Sequence, residues 1–177
     1  MNLGLLLIDI QNDFISGSLK VPKAEEIFIE LEQYFQNPDL KYVVATKDFH
    51  PKNHCSFKLW PEHCVANTFG SELHEQLKTH NIDLIINKGI NPQQDSYSAF
   101  FENDGVTSTG LLEKINNLKI DQWILAGLAT DFCVKATALD ALKLNLNIVV
   151  DLKACRAVDP NFKATEVFTE LKIPFIF

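Results

Sequence analysis

Six side chains carry the chemistry that this sequence could perform. Cys133 lies in Gly127-Leu-Ala-Thr-Asp-Phe-Cys133-Val, where an apolar run gives way to a helical pattern. A thiol in the first turn of a helix meets the positive end of the macrodipole, which is expected to lower its pKa. Backbone N–H groups there are free to bind a developing oxyanion. Asp9 closes the apolar run Leu5-Leu-Leu-Ile8, and Lys88 closes Leu84-Ile-Ile86-Asn. Beside a thiol, a carboxylate serves as general base and then as general acid. An ammonium favours the thiolate and stabilises negative charge in the transition state. Each residue also has an ordinary reading: a small buried cysteine, a turn residue, an exposed lysine.

The second constellation is Asp48-Phe-His50, followed by His63 in Pro61-Glu-His-Cys64. Asp-x-His at a strand end points both side chains to one side. One carboxylate and two imidazoles suit Zn²⁺, and also Fe²⁺ or Mn²⁺, with positions left for water or substrate. His54 could add a ligand. Cys55 and Cys64 with His63 offer a rival structural zinc site, but their spacing matches neither a finger nor a ribbon. Phe14, Trp60 and Tyr97 lie near these segments; they could be core, or could enclose a flat aromatic ring.

These residues need a scaffold that gathers strand ends. Short apolar runs at 5–8, 42–46, 84–86, 123–127, 148–150 and 173–177 predict six strands. Helical patterns fall at 24–35, 111–118 and 131–144, and Phe69, Leu73 and Leu77 suggest a short helix. Asp159-Pro160 reads as a cap and first position for a helix holding Ala164, Val167, Phe168 and Leu171. The alternation predicts an α/β protein: a three-layer αβα sandwich around a mostly parallel six-stranded sheet. In such sheets ligands bind past the carboxyl ends of strands, where Asp9, Asp48, Lys88, Cys133 and Asp151 all fall. Cys155 and Arg156 read as structural.

Composition removes other classes. The 177 residues suit one domain, 1–177, without linker or repeat. With 46% hydrophobic and 22% charged residues the chain is an ordinary globular one. A net charge of −7 without a basic run argues against nucleic acid and against an anionic membrane surface. No apolar run approaches a membrane span, and the N-terminal run, stopped by Asp9, reads as a strand rather than a signal peptide. Four scattered cysteines are too few for a disulfide framework, so a reducing cytoplasm is expected.

Taken together, Leu6-Leu-Ile-Asp9-Ile-Gln-Asn-Asp-Phe14, Thr46-Lys-Asp48-Phe-His50-Pro, Trp60-Pro-Glu-His63-Cys64-Val, Lys88-Gly89 and Gly127-Leu-Ala-Thr-Asp-Phe-Cys133-Val resemble the nicotinamidase/pyrazinamidase family of isochorismatase-like cysteine hydrolases. The resemblance spans nearly the whole chain. It implies a metal-dependent amidohydrolase that converts nicotinamide, and pyrazinamide, to the acid and ammonia through a thioester, within NAD salvage. Cys133 would be the nucleophile, Asp9 the proton carrier and Lys88 the group between them. The resemblance also implies a cis peptide at Leu128–Ala129 and an oxyanion hole made by the N–H groups of Ala129 and Cys133. Asp48, His50 and His63 would hold one divalent ion, zinc first, with iron or manganese as alternatives, and that ion would orient the pyridine nitrogen. Phe14 and Trp60 would flank the ring, with Tyr97 beside them. Relatives differ in oligomeric state, so a homo-oligomer is compatible. Two features depart from the family pattern. The segment Ala66-Asn-Thr-Phe-Gly70 lacks the glycine turn expected after His-Cys-Val, and the chain is short for the family. The competing readings are another amidase of the superfamily, acting on a carbamoyl or ureido substrate, and a non-catalytic metal-binding protein.

Overall fold

The computed structural model describes residues 1–177. Six strands form one sheet: β1 (Leu3–Ile8), β2 (Leu40–Asp48), β3 (Leu84–Lys88), β4 (Gln122–Leu128), β5 (Ile148–Arg156) and β6 (Phe175–Ile176). Their order is β3-β2-β1-β4-β5-β6, and every pairing is parallel. The helices are α1 (Asn12–Ile15), α2 (Ile27–Phe35), α3 (Leu111–Ile115), α4 (Lys135–Lys143) and α5 (Ala164–Glu170).

Strand alternation builds two cores. Leu5 and Leu7 of β1 face one layer, where they join Ile27, Leu31 and Tyr34 of α2 and Phe14 of α1. Leu6 and Ile8 face the other, with Leu111 and Ile115 of α3, Ala138 and Ala141 of α4 and Phe168 of α5. Being apolar on both faces, β1 can only be a central strand of a covered sheet. Burying each such leucine or isoleucine stabilises the fold by about 1.5–3 kcal/mol. Strand order reverses between β1 and β4: from β1 the chain passes to β2 and β3 on one side, then returns to β4 on the other. The crevice at that switch point is where an open sheet of this kind takes its ligand.

Several expectations need correction. The apolar repeat Phe69, Leu73, Leu77 is not one helix. Two 3₁₀ turns, Phe69–Ser71 and Glu75–Thr79, flank Leu73, which bridges to Gln11. Phe69 is 77% exposed, so only Leu73 and Leu77 serve the core. Asp159 does not cap α5, which begins at Ala164 after Lys163; it accepts instead from the Asn161 N–H, closing a turn before the helix. The last strand is confined to Phe175–Ile176.

The fifth strand continues to Arg156, so Asp151 is not at a strand end. Opposite β4 the register jumps from Leu125↔Val150 to Gly127↔Cys155. Asp151 supports this bulge: Oδ1 accepts from the N–H groups of Lys153 and Ala154, and Oδ2 from the Tyr34 hydroxyl at 2.6 Å. Its role is architectural, like that of the buried Cys155.

Candidate active site

Four strand ends meet at the switch point. Asp9 lies one residue past β1 with φ of 51°, a left-handed turn that takes its side chain off the strand path. Asp48 and Lys88 are the last residues of β2 and β3 and are register partners. Cys133 sits in a π-turn, Thr130–Val134, between β4 and α4. The peptide Leu128–Ala129 is cis, as the family resemblance implies.

Lys88 is the hub. Its Nζ donates to Asp48 Oδ1 at 2.5 Å, to the Ser96 carbonyl at 2.7 Å and to Cys133 Sγ at 3.7 Å. Asp9 Oδ2 lies 2.9 Å from Nζ, so the ammonium is also ion-paired with the second buried carboxylate. Its other oxygen accepts from the Thr46 hydroxyl at 2.6 Å. The carboxylate also stands beside the thiol: Asp9, Asp48 and Cys133 ligand atoms all lie within 4.8 Å of one another.

The electrostatics follow from this burial. Desolvation raises the Asp9 pKa, Lys88 opposes it and Asp48 adds to it, with the result pushed up to about 6. Burial works against the Lys88 charge too, but Asp48 and Asp9 outweigh it and hold the ammonium well above the ordinary lysine range. For Asp48, Lys88 and His50 overcome burial and keep the carboxyl below the usual range. Cys133 departs from the helix-dipole expectation. Burial drives its pKa well above the ordinary thiol value, with Lys88 opposing and Asp9 and Asp48 adding. Cys133 is buried and faces two carboxylates, which favours the protonated thiol and gives a neighbouring base a task.

The metal-type residues also converge. Ligand atoms of Asp48, His50 and His63 lie within 4.8 Å of one another, and all three residues are buried. Nδ1 of His50 meets the Gly89 carbonyl at 2.8 Å, and Nδ1 of His63 meets the Pro61 carbonyl at 2.7 Å. These contacts place a proton on Nδ1 and turn Nε2 of each ring inward, the second-shell arrangement that ligating histidines use. Nε2 of His50 is buried without a hydrogen-bond partner. An orphan acceptor of this kind costs stability unless something binds it. With Asp48 Oδ1 given to Lys88, Oδ2 faces His50 Nε2 at 3.7 Å. The donor set fits one divalent ion.

Gly89 makes this possible: at φ 60° a Cβ would stand 2.5 Å from His50 Cε1. His54 stacks on His50 at 3.9 Å, but both its nitrogens are engaged, by the Ser56 hydroxyl and the Gln94 carbonyl. Cys64 points away, with its sulfur 3.9 Å from the Gly70 carbonyl, and does not join His63 and Cys55 in a cluster. In the 66–70 segment Asn67 turns the chain with a φ of 62°, a conformation that asparagine tolerates.

Between thiol and histidines lies an apolar pocket lined by Phe14, Trp60, Tyr97, Ala129, Phe132 and Val158, with Cys133, Asp48, His63 and Asp95 as its polar wall. The Trp60 indole N–H donates to the Tyr97 hydroxyl at 3.3 Å, and Phe132 stands edge-on to Trp60 at 5.1 Å. The structure thus brings all three aromatic candidates into one cavity. The N–H groups of Phe132 and Val134 both donate to the Ala129 carbonyl, closing the turn that carries Cys133.

Sequence reasoning missed Thr46, Ser96, Asp95, Phe132 and Asp131. Thr46 had a signal, since it precedes Asp48 by two residues on the same strand. Asp131 accepts from the N–H groups of Val158 and Asp159 and so pins the loop after β5 to the turn that carries Cys133. Ser96 acts through its carbonyl, which no side-chain pattern reveals.

A thiol flanked by a carboxylate and an ammonium, opening into a pocket that shares a carboxylate with a cluster of metal-ligand type, marks a hydrolase on a doubly wound sheet. The isochorismatase domain model matches residues 4–174, and the chain belongs to that family. It is 39% identical to a nicotinamidase of Acinetobacter baylyi, over 96% of this chain and 88% of that one. The structure of a protein from L. infantum in complex with nicotinate superposes with a TM-score of 0.91 at 36% identity, covering 99% of this chain and 92% of that one. A pyrazinamidase of Pyrococcus horikoshii in complex with zinc gives a TM-score of 0.83 at 31% identity, with 99% of each chain covered. No helix is long and apolar enough to cross a membrane.

Proposed function

We propose that the chain is a nicotinamidase, with residues 1–177 as its hydrolase domain. The observation that carries this reading is that one aromatic pocket is lined both by Cys133 and by Asp48 and His63 of the metal-type cluster. A flat ring that bears an amide and a lone-pair nitrogen can meet both sets of groups.

Asp9 Oδ2 takes the Cys133 proton as Sγ attacks the amide carbon. The oxyanion that forms is held by the N–H groups of Ala129 and Cys133, with Lys88 countering the negative charge of the site. Collapse breaks the C–N bond, and Asp9 returns its proton to the leaving nitrogen, which departs as ammonia. Asp9 then deprotonates a water that attacks the thioester, and the acid leaves with the thiol restored. Asp48, His50 and His63 hold a divalent ion, zinc by the chemistry of the donor set. Once bound it supplies a fixed positive anchor for the ring nitrogen, a matter of orientation rather than of nucleophile generation. A reducing compartment suits the four free cysteines, of which Cys133 must stay reduced.

The test is ammonia release from nicotinamide by wild type and by Cys133→Ala. Activity is expected from the first and none above background from the second. Retained turnover in the variant would sink the nucleophile assignment. Turnover of a carbamoyl or ureido substrate in preference to nicotinamide would move the enzyme to another branch of its family.

A further inference from the structure

The backbone of Asp48 has an unusual partner. Strand β1 pairs with β2 as far as Leu7↔Ala45, and the chain then turns away at Asp9. On its other edge Asp48 pairs with Lys88. On the β1 edge the side chain of Gln11 takes the place of a strand. Its Oε1 accepts from the Asp48 N–H at 2.8 Å, and its Nε2 donates to the Asp48 carbonyl at 2.8 Å and to the Ser71 carbonyl at 2.9 Å. A primary amide offers the same donor and acceptor as a peptide group, so Gln11, itself fully buried, extends the ladder by one rung.

Two residues on, Asp13 Oδ2 accepts from the Cys64 N–H at 2.7 Å, next to His63. Cys64 has a φ of 47°, so the chain turns sharply just after His63. Between them Asn12 reaches only the Phe69 carbonyl, at 2.8 Å, away from the site.

We infer that Gln11 and Asp13 are positioning residues of the metal half-site. Gln11 clamps the backbone of Asp48, and Asp13 clamps the backbone beside His63. Two ligands from distant segments thereby keep their mutual spacing through one short turn that also carries Asp9. The inference rests on reading Asp48, His50 and His63 as metal ligands.

The experiment measures Zn²⁺ affinity of the folded protein by competition with a chromogenic chelator, together with KM and kcat for nicotinamide at limiting and excess Zn²⁺. Gln11→Glu keeps the shape but sets a carboxylate oxygen against two carbonyls. Gln11→Glu and Asp13→Ala are expected to weaken Zn²⁺ binding about 10–100-fold, the usual effect of losing an outer-shell contact. KM should rise and recover with excess Zn²⁺, while kcat at excess Zn²⁺ stays within a few-fold. Asn12→Ala, which removes a comparable bond from the same turn, should keep its Zn²⁺ affinity within about threefold even where its Tm falls. Should Gln11→Glu not fold, Gln11→Met and Asp13→Ala are read in the same way. Unchanged affinity in the Gln11 and Asp13 variants, or an equal loss in Asn12→Ala, overturns the inference. His63→Ala separates the two levels. If it binds Zn²⁺ like wild type, the reading of the metal site fails; if it alone loses Zn²⁺, only the clamp is wrong.

Discussion

Replacing Asp9 by asparagine should separate activity from stability. Asp9 is fully buried, and its pKa rises from the ordinary 3.8 to about 6, chiefly by desolvation. Keeping this carboxylate charged at neutral pH therefore costs the folded state about 3 kcal/mol. Because the folded-state value lies above the unfolded one, the folded protein holds the extra proton between the two. Stability is relieved as pH falls through about 6 towards 3.8, and the cost is fully present above about 6. Asparagine is nearly isosteric, can still accept from Thr46, and leaves Lys88 paired with Asp48 at 2.5 Å. The variant should thus gain up to about 3 kcal/mol at pH 7.5, reduced by the contact of its amide nitrogen with the ammonium. At 2–4 °C per kcal/mol that is a ceiling of about 6–12 °C in Tm. The same change removes the general base and should lower kcat/KM about 10²–10⁴-fold. Thermal melts of both proteins from pH 4 to 8, beside ammonia release, check this. The stability gap must shrink towards pH 4, where wild-type Asp9 carries its own proton. A variant that is less stable at pH 7.5 by a margin independent of pH, or that keeps a tenth of the activity, refutes the reasoning.

Three further expectations use the same site. The kcat/KM of the wild type should rise with pH through about 6, as free Asp9 loses its proton; a flat profile between pH 5 and 7 would remove Asp9 as the base. Gly89→Ala places a Cβ 2.5 Å from His50 Cε1 at φ 60°. It should cost about 1–3 kcal/mol of stability and weaken metal binding, seen in Tm and chelator competition, and wild-type values for both would contradict the steric argument. Trp60→Ala removes one pocket wall and the bond to Tyr97. Losing about 1.5–3 kcal/mol of apolar contact should raise KM roughly tenfold or more with kcat within a few-fold, and an unchanged KM would place the ring elsewhere.

Much of this was legible in the chain, for a physical reason. Strands buried on both faces must be continuously apolar, so β1, β2, β4 and β5 announce themselves, and the polar residue that ends each run falls at the sheet's edge. That logic located Asp9, Asp48 and Lys88. It failed for Asp151, because a bulge carries β5 onward to Arg156 and periodicity cannot see a register jump. It failed for Phe69, Leu73 and Leu77, because a spacing of four residues fits a helix and also fits two 3₁₀ turns around a bridging residue. The aromatic lining was half legible: Phe14, Trp60 and Tyr97 carry motif neighbours, whereas Phe132 is aimed inward only by the π-turn.

By itself the sequence determined the residue types and their order at strand ends, because βαβ connectivity leaves few ways to arrange parallel strands, and its motifs carried the resemblance that implied the reaction class. Tertiary structure decided what each group does there. It set the Lys88 ammonium between two buried carboxylates and the Cys133 sulfur, 2.5 Å from Asp48 Oδ1 and 2.9 Å from Asp9 Oδ2. It buried the Cys133 thiol beside two carboxylates, which raises its pKa where a helix terminus alone would lower it. Both outcomes depend on burial and on distances between segments some 40 to 120 residues apart in the chain, which local sequence does not encode.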